Sequence, residues 1–133
     1  AAAGLVARLA AFSAQGLHMP QFAYVVLSNP VAGREDEYND WYSNRHLADV
    51  TAVPGFVSAQ RFRLMDDAAP GMPRQRYMAI YTMETDDPGA AVARLTALVE
   101  SGEMVMSEAF SMEDMAIHLY RAITPLVTAT AKD

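Results

Sequence analysis

The stretch that decides the fold is GREDEYNDWYSNRHLADVTAVPGFVSAQRFRL, residues 33–64. From residue 34 to about residue 52 its pattern is helical, and three acids in the first turn suit the positive end of a helix dipole. Pro54-Gly55 ends that pattern. The residues that follow alternate as in a strand, which places Phe56 and Phe62 on one face and Arg61 on the other. A helix that turns directly into a strand is therefore predicted.

The segments on either side extend this pair to six elements. Apolar, β-branched and aromatic runs predict strands over 22–28, 76–85 and 115–123, and a second helix is predicted from the cap Asp87 to Gly102. The order β-α-β-β-α-β is that of the α+β ferredoxin-like fold, a four-stranded antiparallel sheet with two helices on one face. The other face lacks a cover, so we expect a homodimer through the sheet face.

Composition sets limits on the class of protein. The 133 residues allow one ordinary domain, predicted over 19–133, and the Ala-rich segment 1–18 is interpreted as a vector-derived or non-native leader. A net charge of −6 disfavours a nucleic-acid partner. No stretch approaches the roughly 20 apolar residues of a membrane span, so no membrane partner is expected. The absence of Cys fits a cytoplasmic location.

The first helix carries an unusual number of polar and aromatic side chains. Steps of about 100° per residue place one group of them in a single sector directed at the sheet, with Trp41 and His46 at its flanks. That group is Tyr38, Tyr42, Arg45, Asp49 and Val53. Burying such residues is unfavourable unless each polar atom finds a partner or a hydrated cavity. The sector is therefore either a pocket wall or a hydrogen-bonded packing seam.

The chemistry of a pocket would centre on His46, because its reference pKa near 6.5 suits proton transfer at neutral pH. Asp49 lies three residues further on and could orient the imidazole, although an Arg45–Asp49 pair is also typical of a surface bridge. The predicted catalytic residues are His46, Tyr42 and Asp49. The predicted substrate-binding residues are Tyr38, Trp41, Arg45 and, in second rank, His118. Four strand residues could extend the lining: Tyr24, Gln60, Tyr77 and Tyr81.

No cofactor or metal is predicted. His46 and Asp49 would supply two metal ligands at most, and no glycine-rich phosphate loop follows a strand. The Met-rich connector 103–114 is more typical of an adaptable packing surface or a pocket lid than of a haem ligand set.

The stretch 33–64 resembles the ethyl tert-butyl ether degradation (EthD)-like family of the dimeric α/β-barrel superfamily. The matching residues are Trp41-Tyr42, His46, Pro54-Gly55-Phe56 and Arg61-Phe62. The resemblance implies a homodimer whose two sheets pack into a barrel, with a cleft between helices and sheet in each subunit. Proteins of this architecture include cofactor-free monooxygenases, polyketide cyclases, lactone isomerases and haem-degrading enzymes, so the fold alone leaves the function open.

Two hypotheses follow. In the first, the chain is an enzyme that binds a small hydrophobic or aromatic metabolite and acts as a cofactor-independent oxygenase, cyclase or isomerase, with His46 as general base. In the second, it is a non-catalytic carrier of a small ligand or an accessory subunit of a degradation or biosynthetic pathway.

Overall fold

The computed structural model describes residues 20–65 and 74–130. The predicted leader over 1–18 and the larger part of the loop between the second and third strands lie outside the described residues. None of the described helices is long and apolar enough to cross a membrane.

The predicted order of elements and the ferredoxin-like fold are confirmed. The elements are β1 (Gln21–Ser28), α1 (Glu35–Trp41), a π-helical turn (Tyr42–His46), α2 (Leu47–Thr51), β2 (Phe56–Arg63), β3 (Tyr77–Glu84), α3 (Pro88–Ser101) and β4 (Ala116–Arg121). The strands form one antiparallel sheet in the order β2-β3-β1-β4. The acidic first turn begins α1, and Asp87 caps α3 by accepting a hydrogen bond from the backbone N–H of Ala90.

The π turn changes which side chains of the first helix face the sheet. A π turn takes more residues than an α turn, so every later residue is rotated back about the helix axis. The predicted inward placement of Arg45 and Asp49 is therefore wrong: the Arg45 side chain is exposed and that of Asp49 lies near the surface. His46 and Val50 take the inward positions and are buried.

The turn after α2 depends on Gly55. Its φ of +102° lies in the region that favours glycine. A Cβ at this position would lie 3.1 Å from the Cβ of Ala91, so the turn also brings β2 close to α3. Pro54-Gly55 thus ends the helix, as predicted, and fixes where the next strand starts.

A β-bulge at the start of β2 changes the alternation predicted for that strand. The register shifts between Phe56 and Ser58, so two residues of β2 oppose one residue of β3. Phe56 therefore shares the helix-facing side with Arg61, opposite Met83 and Ala79, and the predicted separation of Phe56 from Arg61 is wrong.

The two faces of the sheet have different surroundings. The helices cover the face that carries Tyr24, Tyr81 and Met83, which are buried in the core. The opposite face is half-buried or exposed and presents apolar side chains, among them Val25 and the 40% exposed Phe62. Beyond β4, the segment 122–130 exposes large apolar side chains as well: Ile123, Leu126 and Val127.

Candidate functional site

A cavity of about 650 Å³ lies between the first helix and the helix-facing side of the sheet. Tyr42 and His46 contribute to it from the π turn, and Tyr24 and Tyr81 from the two central strands of the sheet. The remaining walls come from α3 and from the connector that follows it, including Leu95, Val99, Met106, Phe110, Met112 and Met115. The Met-rich connector therefore lines the cavity, and most of the wall is apolar.

His46 is a buried polar group in this apolar wall. Only 7% of its surface is exposed, and its Nδ1 has no hydrogen-bond partner among the described residues. The imidazole stacks on the indole of Trp41, with ring centroids 4.5 Å apart and planes 23° apart. Burial lowers the pKa of His46 from 6.5 to about 4, and the charge of Asp49 opposes this shift only in part. The imidazole is therefore neutral at pH 7.

Two tyrosine hydroxyls meet beside His46 in the cavity wall. The hydroxyl of Tyr81 lies 3.5 Å from that of Tyr42, at the outer limit of a hydrogen bond. Burial raises the pKa of Tyr42 well above its ordinary value, and burial also raises the pKa of Tyr81. Both phenols are therefore protonated at neutral pH and can donate to an oxygen atom of a ligand.

Arg61 lies next to this group and does not line the cavity. Its guanidinium carbon is 4.5 Å from the ring centre of Tyr42 and 5.3 Å from those of Tyr38 and Tyr77. Its nitrogens donate to Ser43 Oγ at 2.7 Å and to Asn39 Oδ1 at 2.8 Å. A cation is thus held among aromatic rings, one of which faces the cavity.

Comparison with solved structures identifies proteins of the same architecture. An antibiotic biosynthesis monooxygenase-like protein from Bordetella bronchiseptica aligns with a TM-score of 0.56 at 18% identity, over 79% of this chain and 99% of that one. An EthD-like protein from Ralstonia eutropha aligns with a TM-score of 0.53 at 13% identity, over 79% and 94%. The haem-degrader MhuD from Mycobacterium tuberculosis, with two haems bound in its active site, aligns with a TM-score of 0.54 at 17% identity, over 80% and 99%.

The chain has the α+β ferredoxin-like fold of these proteins, which themselves belong to the dimeric α/β-barrel superfamily. The predicted likeness to EthD-like proteins is confirmed at the level of the fold. No protein-family model and no curated protein matches the sequence.

Within this fold, the structure brings together two of the predicted catalytic residues, Tyr42 and His46, in one cavity wall. Asp49 does not hydrogen-bond to the imidazole. It pairs at the surface with Arg45, with 3.6 Å between Nε and Oδ2, which is the surface bridge that the spacing also allowed. Asp49 therefore acts on His46 only through its charge.

The predicted substrate-binding residues lie outside the cavity lining. Tyr38 is fully buried, and its hydroxyl hydrogen-bonds to Ser28 Oγ at 2.6 Å, so it belongs to a packing seam. Trp41 stacks on the imidazole of His46 and donates its indole N–H to the carbonyl oxygen of Val105 at 3.1 Å. His118 pairs in register with Val25 on the opposite, open face of the sheet. The first helix thus provides both a seam and a pocket wall.

The sequence interpretation missed Arg61 as part of the site. The alternation of β2 predicts Arg61 on the face opposite Phe56, and the β-bulge that turns it towards Tyr42 has no signal in that alternation. Tyr24 and Tyr81 do extend the lining, whereas Gln60 faces the open side and Tyr77 donates its hydroxyl to Glu35. Within residues 20–65 and 74–130, no three His, Asp or Glu side chains are grouped so that they could hold a metal ion.

Proposed function

We propose that the chain binds a small hydrophobic or aromatic metabolite in the helix–sheet cavity and converts it as a cofactor-independent oxygenase, cyclase or isomerase. The observation that supports this proposal is a neutral imidazole, with one ring nitrogen unpartnered, in the wall of an apolar cavity of about 650 Å³. Concave sites of this size with a few convergent polar groups are typical of small-molecule binding. His46 is the proposed general base.

The first chemical step is a proton transfer from a hydroxyl or an activated C–H group of the substrate to His46. Because burial disfavours the imidazolium form, the transfer requires that the substrate's negative charge remain close to the ring. The hydroxyls of Tyr42 and Tyr81 stabilise that charge on oxygen by donating hydrogen bonds. The resulting enolate or carbanion then reacts with dioxygen or rearranges, which distinguishes an oxygenase from a cyclase or an isomerase.

The test uses His46→Ala, with His118→Ala as the matched control because His118 lies on the other face of the sheet. A panel of hydroxylated aromatic compounds is screened for binding, and each ligand found is assayed for oxygen consumption and for product formation. Loss of a general base lowers turnover by roughly 10²- to 10⁴-fold. We expect that loss in His46→Ala with binding retained, and wild-type turnover in His118→Ala. Full turnover by His46→Ala would exclude the general-base role.

A non-catalytic carrier or accessory subunit is the second candidate. The low pKa of His46 and its stacking on Trp41 favour this alternative, because both make the imidazole a weak base held by packing. A carrier would bind members of the same panel without consuming oxygen or releasing product, and His46→Ala would change only the affinity.

We also propose that two copies form a homodimer through the open sheet face. The apolar side chains of that face support this arrangement. The structural neighbours belong to the dimeric α/β-barrel superfamily, which supports it as well. Sedimentation of the purified chain at several concentrations tests it.

We also propose a cytoplasmic location, and the feature that supports it is the lack of Cys.

A further inference from the structure

Arg61 carries a positive charge that none of the described carboxylates neutralises at salt-bridge distance. Its direct partners are neutral: Ser43 Oγ, Asn39 Oδ1 and the face of the Tyr42 ring. These contacts hold the planar guanidinium over the ring. The charge is therefore free to act on the aromatic group beneath it.

Tyr42 differs from Tyr38 and Tyr77, the other two tyrosines near Arg61, in the hydrogen bonds of its hydroxyl and in its position beside the cavity. The hydroxyl of Tyr38 is bonded to Ser28, and that of Tyr77 is bonded to Glu35. Neither ring lines the cavity. Tyr42 does line it, and its hydroxyl accepts a long hydrogen bond from Tyr81 at 3.5 Å, which leaves its own O–H group to donate.

A cation above a phenol ring withdraws electron density from it and makes the O–H group a stronger hydrogen-bond donor. The effect is larger towards an anionic oxygen than towards a neutral one, because only the anion also interacts with the charge of the cation. None of the described residues in the cavity wall is a Lys or an Arg, whereas Glu100 and Glu108 contribute to it. These two carboxylates work against an anionic ligand, so a preference for one has to come from Arg61 behind the ring of Tyr42.

We propose that the cavity selects ligands that present an anionic oxygen, a phenolate or an enolate, to the Tyr42 hydroxyl. Arg61 is the positioning residue that fixes the Tyr42 ring and strengthens its hydrogen bond to that oxygen. The inference rests on the proposed function, because it specifies the ligand class of the same cavity.

The experiment uses para-nitrophenol, whose phenol and phenolate forms absorb light differently. Absorbance titrations at several pH values give the affinity of the protein for each form. The variants are Arg61→Met, which removes the charge, Arg61→Lys, which keeps it, and Tyr42→Phe, which removes the donor. Arg63→Met is the matched control, because Arg63 lies two residues further on the same face of β2 and its guanidinium lies over no aromatic ring among the described residues.

The wild type should bind the phenolate form more tightly than the phenol form. Arg61→Met should lower that preference about fivefold, the ratio expected for a cation–π interaction in a partly buried site. Phenol affinity should stay unchanged. Tyr42→Phe should lower the preference at least as much, and Arg61→Lys and Arg63→Met should retain it. If Arg61→Met does not fold, the Tyr42→Phe and Arg61→Lys results decide.

Three results would overturn the inference: no phenolate preference in the wild type, a full preference in Arg61→Met or Tyr42→Phe, or an equal loss in Arg61→Lys and Arg61→Met. In each of these cases the probe still binds, so the proposed ligand-binding function stands. Failure of the wild type to bind either form would count against the ligand-binding function as well.

Discussion

The free energy of unfolding of the wild-type chain should decrease as the pH falls below neutral, in part because His46 is buried. Replacing His46 with phenylalanine should abolish that part of the decrease. Burial lowers the pKa of His46 to about 4, whereas the unfolded chain binds the proton near pH 6.5. The unfolded state therefore binds more protons between these two values, and the free energy of unfolding decreases as the pH falls through that window. Above pH 6.5 the group contributes no pH dependence.

The size of this effect follows from the shift. At 1.36 kcal/mol per pKa unit, the wild type should lose about 3 kcal/mol of unfolding free energy between pH 7 and pH 4 relative to His46→Phe. At pH 7 the variant should match the wild type or exceed it by about 1 kcal/mol. The phenyl ring retains the stacking on Trp41 and removes the buried nitrogen that lacks a partner.

The assay is urea unfolding at each pH, at one fixed protein concentration, because the stability of a dimer depends on concentration. Carboxylates titrate in the same range in both chains, so the difference between the two curves isolates His46. His118→Gln serves as the control for loss of an imidazole outside the cavity. Parallel wild-type and His46→Phe curves from pH 7 to pH 4 would refute the burial argument. A loss of several kcal/mol at pH 7 would show instead that His46 satisfies buried partners.

The remaining predictions concern the packing seam, the turn after the first helix and the open sheet face. Tyr38→Phe should lower the free energy of unfolding by about 1–3 kcal/mol, because it leaves the buried Ser28 hydroxyl without its partner; urea unfolding measures this. Gly55→Ala should destabilise by about 1–3 kcal/mol and by more than Gly33→Ala, since both have positive φ but only Gly55 lies close to a side chain of α3. Phe62→Glu should shift sedimentation from dimer to monomer, because it places a charge on the proposed interface; an unchanged dimer would place the interface elsewhere.

The order of elements could be predicted from the sequence because each element carries its own local signal. Alternation identified the strands, a 3.6-residue period identified the helices, and Pro54-Gly55 marked the boundary between the first helix and β2. His46 and Tyr42 could be proposed as site residues because polar side chains on an inward helix face require a reason. The inward position of Arg45, by contrast, was predicted from a uniform 100° step, which the π turn interrupts.

Two local irregularities, neither visible in the sequence pattern, assemble the candidate site. The π turn rotates the later part of the helix so that His46 reaches the cavity wall and Arg45 remains at the surface. The bulge in β2 places Arg61 on the helix-facing side, where its guanidinium meets the ring of Tyr42. A regular α-helix would have turned Arg45 and Asp49 towards the sheet. A regular β2 would have placed Arg61 on the open face, away from Tyr42. Because π turns and β-bulges are enriched at functional sites, their convergence on Tyr42 supports a pocket rather than a seam at this end of the helix.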